Sequence, residues 1–162
     1  MNLHIGCGSI NFGKEWIHID QDQRKFVQFT NIFNLPFDPQ SVDKIYSSYL
    51  IQSLTKEETL DFFRECKRVI KKGGTIVLSV PDYFLISDKY IKSKLKIDEV
   101  NKFLMQDTKQ LLDFVSLQKY LMMTGFYGIK RLDIEQTPPP KEDSSCVFYN
   151  GENISLTIEA YG

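Results

Sequence analysis

The sequence predicts an α/β fold: a mostly parallel sheet that ends in a C-terminal antiparallel hairpin. Three observations carry that prediction. Leu3-His4-Ile5 alternates and then breaks at Gly6-Cys7-Gly8, as a strand running into a glycine turn does. A helical pattern from Thr55 to Lys72 leads through Gly73-Gly74 into the apolar run Thr75–Val80, which makes a strand–helix–strand unit with the strand before it. Near the end, Ile154, Leu156 and Ile158 alternate with Ser155, Thr157 and Glu159 behind an Asn150-Gly151 turn signal.

The elements follow in order. Trp16-Ile17-His18-Ile19-Asp20 reads as a second strand with an acid at its end. Phe26–Phe29 reads as a third, followed by the turn Asn34-Leu35-Pro36-Phe37, and Val42–Tyr46 as a fourth. Thr55 and Glu58 have capping-box spacing, so each can satisfy a free backbone N–H of the other at a helix start. Leu60, Phe63, Cys66 and Val69/Ile70 then recur on one helical face. Lys71-Lys72 suits the negative end of that helix, and Gly73-Gly74 is expected to stop it. The β-branched run Thr75–Val80 suits a central strand covered on both faces. Two helices are expected over Tyr83–Lys92 and Asp98–Met105, and a third with Ser116 as its N-cap and Gly125 as its stop. Ile129–Ile134 reads as a strand and Thr137–Asp143, with three prolines in a row, as an exposed loop. Cys146–Tyr149 and Ile154–Ala160 form the arms of the closing hairpin.

Composition bounds the function. The chain has 162 residues, 42% hydrophobic and 13% aromatic, which is enough for one packed domain over residues 1–162. Twenty basic against 21 acidic residues leave a formal charge of −1, without the basic excess of a dedicated nucleic-acid binder. Cys7, Cys66 and Cys146 are far apart and odd in number, with no CxxC, so neither a disulfide framework nor a metal site is expected, and a reducing cytoplasm is the default. The first residues lack the basic and apolar regions of a secretory signal, and no apolar run approaches the ~20 residues of a membrane span.

Chemistry concentrates in Gly6-x-Gly8 after the first strand and Asp20 after the second. Glycines let a ligand approach the backbone, and an acid at the next strand end can accept both hydroxyls of a ribose. This is not the dinucleotide fingerprint: its third glycine falls on Asn11, and Asp20 follows Gly6 by 14 residues where about 20 are expected. Residues 9–15 leave no room for a full first helix, so a pyrophosphate would lack the helix N-terminus that usually receives it. A nucleoside ligand without phosphates fits better. No GxxxxGK[ST] loop is present.

LHIGCGSINFGKEWIHID, then NIFNLPFDPQSVDKIYSSYLIQSLTKEETLDFFRECKRVIKKGGTIVLSVPD, and the closing SSCVFYNGENISLTIEAYG together resemble the class I S-adenosylmethionine-dependent methyltransferases. Within that family they look most like a small group associated with surface polysaccharide and lipopolysaccharide. The resemblance implies a Rossmann-like, doubly wound sheet, S-adenosylmethionine as cofactor with S-adenosylhomocysteine as product, and a small acceptor such as a sugar hydroxyl. It places Gly6, Cys7 and Gly8 under the methionine moiety, Asp20 on the ribose, Asn31 and Ile32 at the adenine, and Ser47 and Ser48 beside the sulfonium. Asn31 would accept from the adenine amino group through its amide oxygen.

The chain departs from the group where His-x-x-Glu-His reads Tyr49-Leu50-Ile51-Gln52-Ser53, and where His4 stands near the usual first-strand acid. Candidates for a replacement base are Asp82, His18 and Tyr49. Several of the residues singled out have a plainer alternative: His4 and His18 can pack or bond locally, Asp82 can cap the helix at Tyr83, and Asn31 can cap a turn. Acceptor recognition is expected from residues 83–127, the strand-end loops or a second copy of the chain. The lost acid and histidines also motivate a second reading, a methyltransferase-like protein that binds a ligand or partner without catalysis, and a third as an accessory subunit.

Overall fold

The computed structural model describes residues 1–105, 107–146, 148–149 and 152–162. The Asn150-Gly151 turn lies outside the described residues. The strands are β1 (Asn2–Ile5), β2 (Trp16–Ile19), β3 (Val42–Ser48), β4 (Ile70–Pro81), β5 (Tyr127–Arg131), β6 (Phe148–Tyr149), β7 (Glu152–Asn153) and β8 (Ser155–Tyr161). The helices are α1 (Lys56–Val69), α2 (Tyr83–Ile91), α3 (Ile97–Leu104) and α4 (Phe114–Met123).

Six strands form one sheet in the order β2-β1-β3-β4-β8-β5. β1 through β4 pair in parallel, whereas β8 runs antiparallel to both β4 and β5. β6 and β7 make a separate antiparallel hairpin, so its second arm is Glu152–Asn153, while the expected arm Ile154–Ala160 belongs largely to β8 and pairs with β4 and β5 in the main sheet. This is the expected α/β, Rossmann-like architecture. Strand order reverses at β1, so the crevice for a ligand opens at the carboxyl ends of β1 and β3.

Each face of the sheet is closed differently. On one, Leu3, Ile5, Ile45, Ile76 and Leu78 are fully buried against Phe62 and Phe63 of α1 and Leu117 and Leu121 of α4. Parallel strands need cover on both sides. On the other face that cover comes from loops, as Phe12 and Leu132 pack on Trp16, Tyr46 and Val77. The ten-residue link from β1 to β2 is too short for a helix, and Phe12 plugs the space instead, stacking on His4 with 4.0 Å between ring centroids.

The Thr55–Glu58 capping box is formed in both directions: Glu58 N–H donates to Thr55 Oγ1 at 3.2 Å and Thr55 N–H to Glu58 Oε2 at 2.7 Å. Four boundaries differ from expectation. Phe26–Phe29 makes a single parallel bridge, Ile19 to Phe29, because turns on both sides leave it no length to pair. α1 stops at Val69, ahead of Gly73-Gly74: Ile70 is already extended (φ −72°, ψ 139°) and pairs with Val42, so sheet register ends the helix. The N-cap of α4 is Asp113, and Ser116 sits at the third helical position as the reciprocal partner in the same box. β5 starts two residues early and ends at Arg131, after which 133–137 close into a turn.

Candidate functional site

The loop after β1 and the acid after β2 are joined directly. Gly8 N–H donates to Asp20 Oδ2 at 2.7 Å, and Asp22 N–H to Asp20 Oδ1 at 2.9 Å. Each carboxylate oxygen keeps further lone-pair capacity for a diol. Gly6 N–H donates to Ile19 O at 2.8 Å, which holds the loop across the end of β2. Gly6 has φ +71°, and a Cβ there would meet Leu50 Cβ at 3.0 Å, so a side chain is excluded by conformation and by contact. A Cβ on Gly8 would meet nothing within 4 Å, so the backbone there borders open space.

The other residues that the resemblance assigns to the cofactor lie on the chain after Asp20 and at the end of β3. Asp20 N–H donates to Phe29 O at 3.1 Å, which brings the chain leading to Asn31 and Ile32 beside the acid. Ile32 is buried. Asn31 Oδ1 accepts from Phe33 N–H at 2.9 Å and Asn34 N–H at 3.1 Å. Ser47 and Ser48 end β3. Ser47 is buried, and its Oγ finds no hydrogen-bond partner among the described residues. Ser48 Oγ lies 2.8 Å from Ser144 Oγ. Leu50, two residues past β3, packs its side chain against Gly6.

Cys7 lies under the loop at 3% exposure. Burial, and then the charge of Asp20, push its thiol up to about 11. A thiol so placed is about 0.1% ionised at pH 8, which suits packing and not nucleophilic attack. Cys66 is fully buried with its thiol also pushed up, whereas Cys146 is half-buried. Brief alkylation with iodoacetamide at pH 8 is therefore expected to label Cys146 and spare Cys7 and Cys66 in the native protein. Mass spectrometry of the digested protein reads the outcome, and rapid labelling of Cys7 would contradict this packing.

Each of the three candidate bases has at least one side-chain polar atom engaged. Asp82 is buried; Oδ1 accepts from Leu85 N–H at 3.2 Å as the cap of α2, and Oδ2 pairs with Arg131 Nη1 at 3.1 Å. His18 Nε2 accepts from Phe12 N–H at 2.9 Å, and burial lowers its pKa. Tyr49 has φ +55°, donates its N–H to Ser79 O at 2.8 Å, and places its hydroxyl 2.9 Å from Ser155 Oγ. Burial raises the Tyr49 phenol. A positive φ on a large side chain stores strain of the kind found at ligand sites.

A hydroxyl cluster beside the end of β3 was not legible in the sequence. Tyr46 donates its hydroxyl to Asp143 Oδ2 at 2.8 Å across 97 residues, and Ser145 Oγ donates to Asp143 Oδ1 at 2.6 Å. Ser155 Oγ donates to Ser144 O at 3.1 Å, linking the Tyr49 and Ser48 contacts. Burial, then the Asp143 charge, raise the Tyr46 phenol. Among the described residues, no cluster of His, Cys, Asp and Glu could hold a metal ion, and no helix is long and apolar enough to cross a membrane.

The family described as a methyltransferase domain matches residues 9–78. The sequence matches no curated protein. Among solved structures, the chain is similar to a SAM-dependent methyltransferase from Archaeoglobus fulgidus at 17% identity, with a TM-score of 0.64 over 99% of this chain and 85% of that one. It is similar at 20% identity to a Thermotoga maritima SAM-dependent methyltransferase described as a possible histamine N-methyltransferase (TM-score 0.63, 99% and 81% covered). Human N-acetylserotonin methyltransferase, solved in complex with SAM, aligns at 11% identity and TM-score 0.62 over 99% of this chain and 46% of that one. The fold is that of the class I S-adenosylmethionine-dependent methyltransferases.

Proposed function

We propose that this protein binds S-adenosylmethionine across the carboxyl ends of β1, β2 and β3 and transfers its methyl group to a small acceptor. The observation that carries this reading is the Gly8–Asp20 bond, which locks a glycine loop and a diol-binding carboxylate into one unit at the switch point of the sheet. The open space at Gly8 fits a ligand lying along that unit. The methyltransferase-domain match over residues 9–78 and the SAM-bound relatives of the same fold support it.

In this reading Asp20 accepts the ribose hydroxyls, Gly6, Cys7 and Gly8 pass beneath the methionine moiety, and Asn31 and Ile32 border the adenine. Ser47 and Ser48 border the sulfonium. The cofactor supplies an electrophilic methyl group and leaves as S-adenosylhomocysteine. The chain's contribution is to hold an acceptor in line with that methyl, where positioning alone accounts for a large share of the rate. Asp82 and His18, tied to a cap, an ion pair and a backbone N–H, serve as structure ahead of proton transfer. Tyr49 remains the candidate base closest to Ser47 and Ser48 in the chain.

The acceptor in this proposal is a sugar hydroxyl, held by residues 83–127 and the hydroxyl cluster of Ser48, Ser144 and Ser155 within a single 1–162 domain. The resemblance to the polysaccharide group supports it, as does the hydroxyl-rich character of that cluster. The unpaired thiols suit a reducing cytoplasm, and a second copy of the chain would complete the acceptor side. The engaged state of Asp82 and His18 favours one alternative, a ligand-binding protein without turnover. Calorimetric titration with S-adenosylmethionine and S-adenosylhomocysteine, followed by mass spectrometry of a panel of sugar acceptors, separates the two. Binding with a methylated product is the expected result. Binding without product selects the alternative, and no binding at millimolar ligand overturns both.

A further inference from the structure

Beside Asp20 a cleft of about 360 Å³ is lined by Gln28, Phe29, Thr30, Asn31 and neighbouring neutral residues, with no carboxylate among its lining. In the cofactor reading a nucleoside whose ribose rests on Asp20 would lay its base here, since Asp20 N–H is bonded to Phe29 O and the chain runs on through Asn31. The orientation of Asn31 is set by its own turn. Its Oδ1 already accepts two backbone N–H groups, at 2.9 and 3.1 Å, which uses both lone pairs of the carbonyl. Rotating the amide would set its NH₂ against those two donors. Gln28 is held the same way, with Oε1 accepting from His18 N–H at 2.7 Å. Both amides are thereby left with their NH₂ groups to offer a ligand.

We infer that Asn31 is a specificity-determining residue that presents a donor to the base, so that this site does not select for the 6-amino group of adenine. The inference rests on the cofactor reading above. An exocyclic amino group is itself a donor and gains no bond from the Asn31 NH₂, so removing it costs nothing there. An aspartate at this position behaves differently: one oxygen keeps the turn, and the other faces the base as an acceptor.

The test is calorimetry on the full chain with two ligands, S-adenosylhomocysteine and its analogue carrying hydrogen in place of the 6-amino group. The original chain is expected to bind the two within tenfold of each other. In Asn31→Asp the turn is preserved, and preference for the amino-bearing ligand is expected to rise at least tenfold, the discrimination typical of one charge-assisted hydrogen bond. Preference above tenfold in the original chain, or an unchanged ratio in Asn31→Asp, overturns the inference while leaving the cofactor reading intact. Failure of both ligands to bind the original chain overturns the cofactor reading and this inference with it.

Discussion

Replacing Asp20 with alanine is expected to weaken S-adenosylmethionine binding by two to four powers of ten. In the proposed reading the carboxylate accepts two ribose hydroxyls, and a hydrogen bond to a charged group contributes about 1.5–3 kcal/mol. Two such bonds amount to about 3–6 kcal/mol, or roughly 10²–10⁴ in Kd. The variant also frees Gly8 N–H, which loses its 2.7 Å bond to Oδ2, so the loop itself loosens. Two controls isolate the ligand contact. Asp22→Ala removes a neighbouring exposed acid but keeps the Asp22 N–H bond to Asp20, and is expected to bind normally. Asp20→Asn keeps one acceptor oxygen and is expected to fall between the two. Titration calorimetry, with a thermal melt to establish folding, reads all three. A folded Asp20→Ala that binds within tenfold of the original chain would remove Asp20 from the site.

The meeting of the Gly8 loop with Asp20 was legible because its signal is local. Gly6, Gly8 and Asp20 lie within one short stretch, and the shortness of that stretch also excludes a full first helix there. The capping box at Thr55 was legible for the same reason: both members are three residues apart. Where a tertiary partner decides, local pattern fails. Gly73-Gly74 looks like a helix stop, yet pairing of Ile70 with Val42 draws the chain into β4 before the glycines are reached. Asp113 and Ser116 are two ends of one box, and sequence alone does not say which end is the cap. The hydroxyl cluster is the extreme case, since Asp143 meets Tyr46 only because β3 is central and residues 143–146 fold back over its end. Asn31 shows a subtler limit. Its residue type allows an acceptor, but the turn it caps has already taken the oxygen.

Stability is expected to fall as pH drops from 7.5 to 5, and His4 is expected to account for most of the loss. His4 is 1% exposed, and its Nδ1 finds no hydrogen-bond partner among the described residues. Its ring is boxed by Phe12, Trp16, His18 and Tyr46, none of which offers a carboxylate to a cation. Burial, and then the neighbouring His18, lower its pKa to about 3. Between the ordinary value of about 6.5 and that depressed value, the unfolded chain binds a proton that the folded chain refuses, so folding weakens as pH falls. One pKa unit corresponds to about 1.4 kcal/mol, so the cost reaches about 2 kcal/mol at pH 5. His18 acts in the same direction, because protonation would set a donor against Phe12 N–H. The acids held below their ordinary values, Asp43, Glu58, Glu65 and Asp113, release their stabilisation only at lower pH, and the sequence has two histidines in all, so this window isolates the pair. His4→Phe keeps the stack on Phe12 and removes the titrating group. Urea denaturation at pH 7.5 and pH 5 is expected to show the loss shrinking by about 2 kcal/mol in that variant, and an identical loss in both proteins would place the acid sensitivity elsewhere.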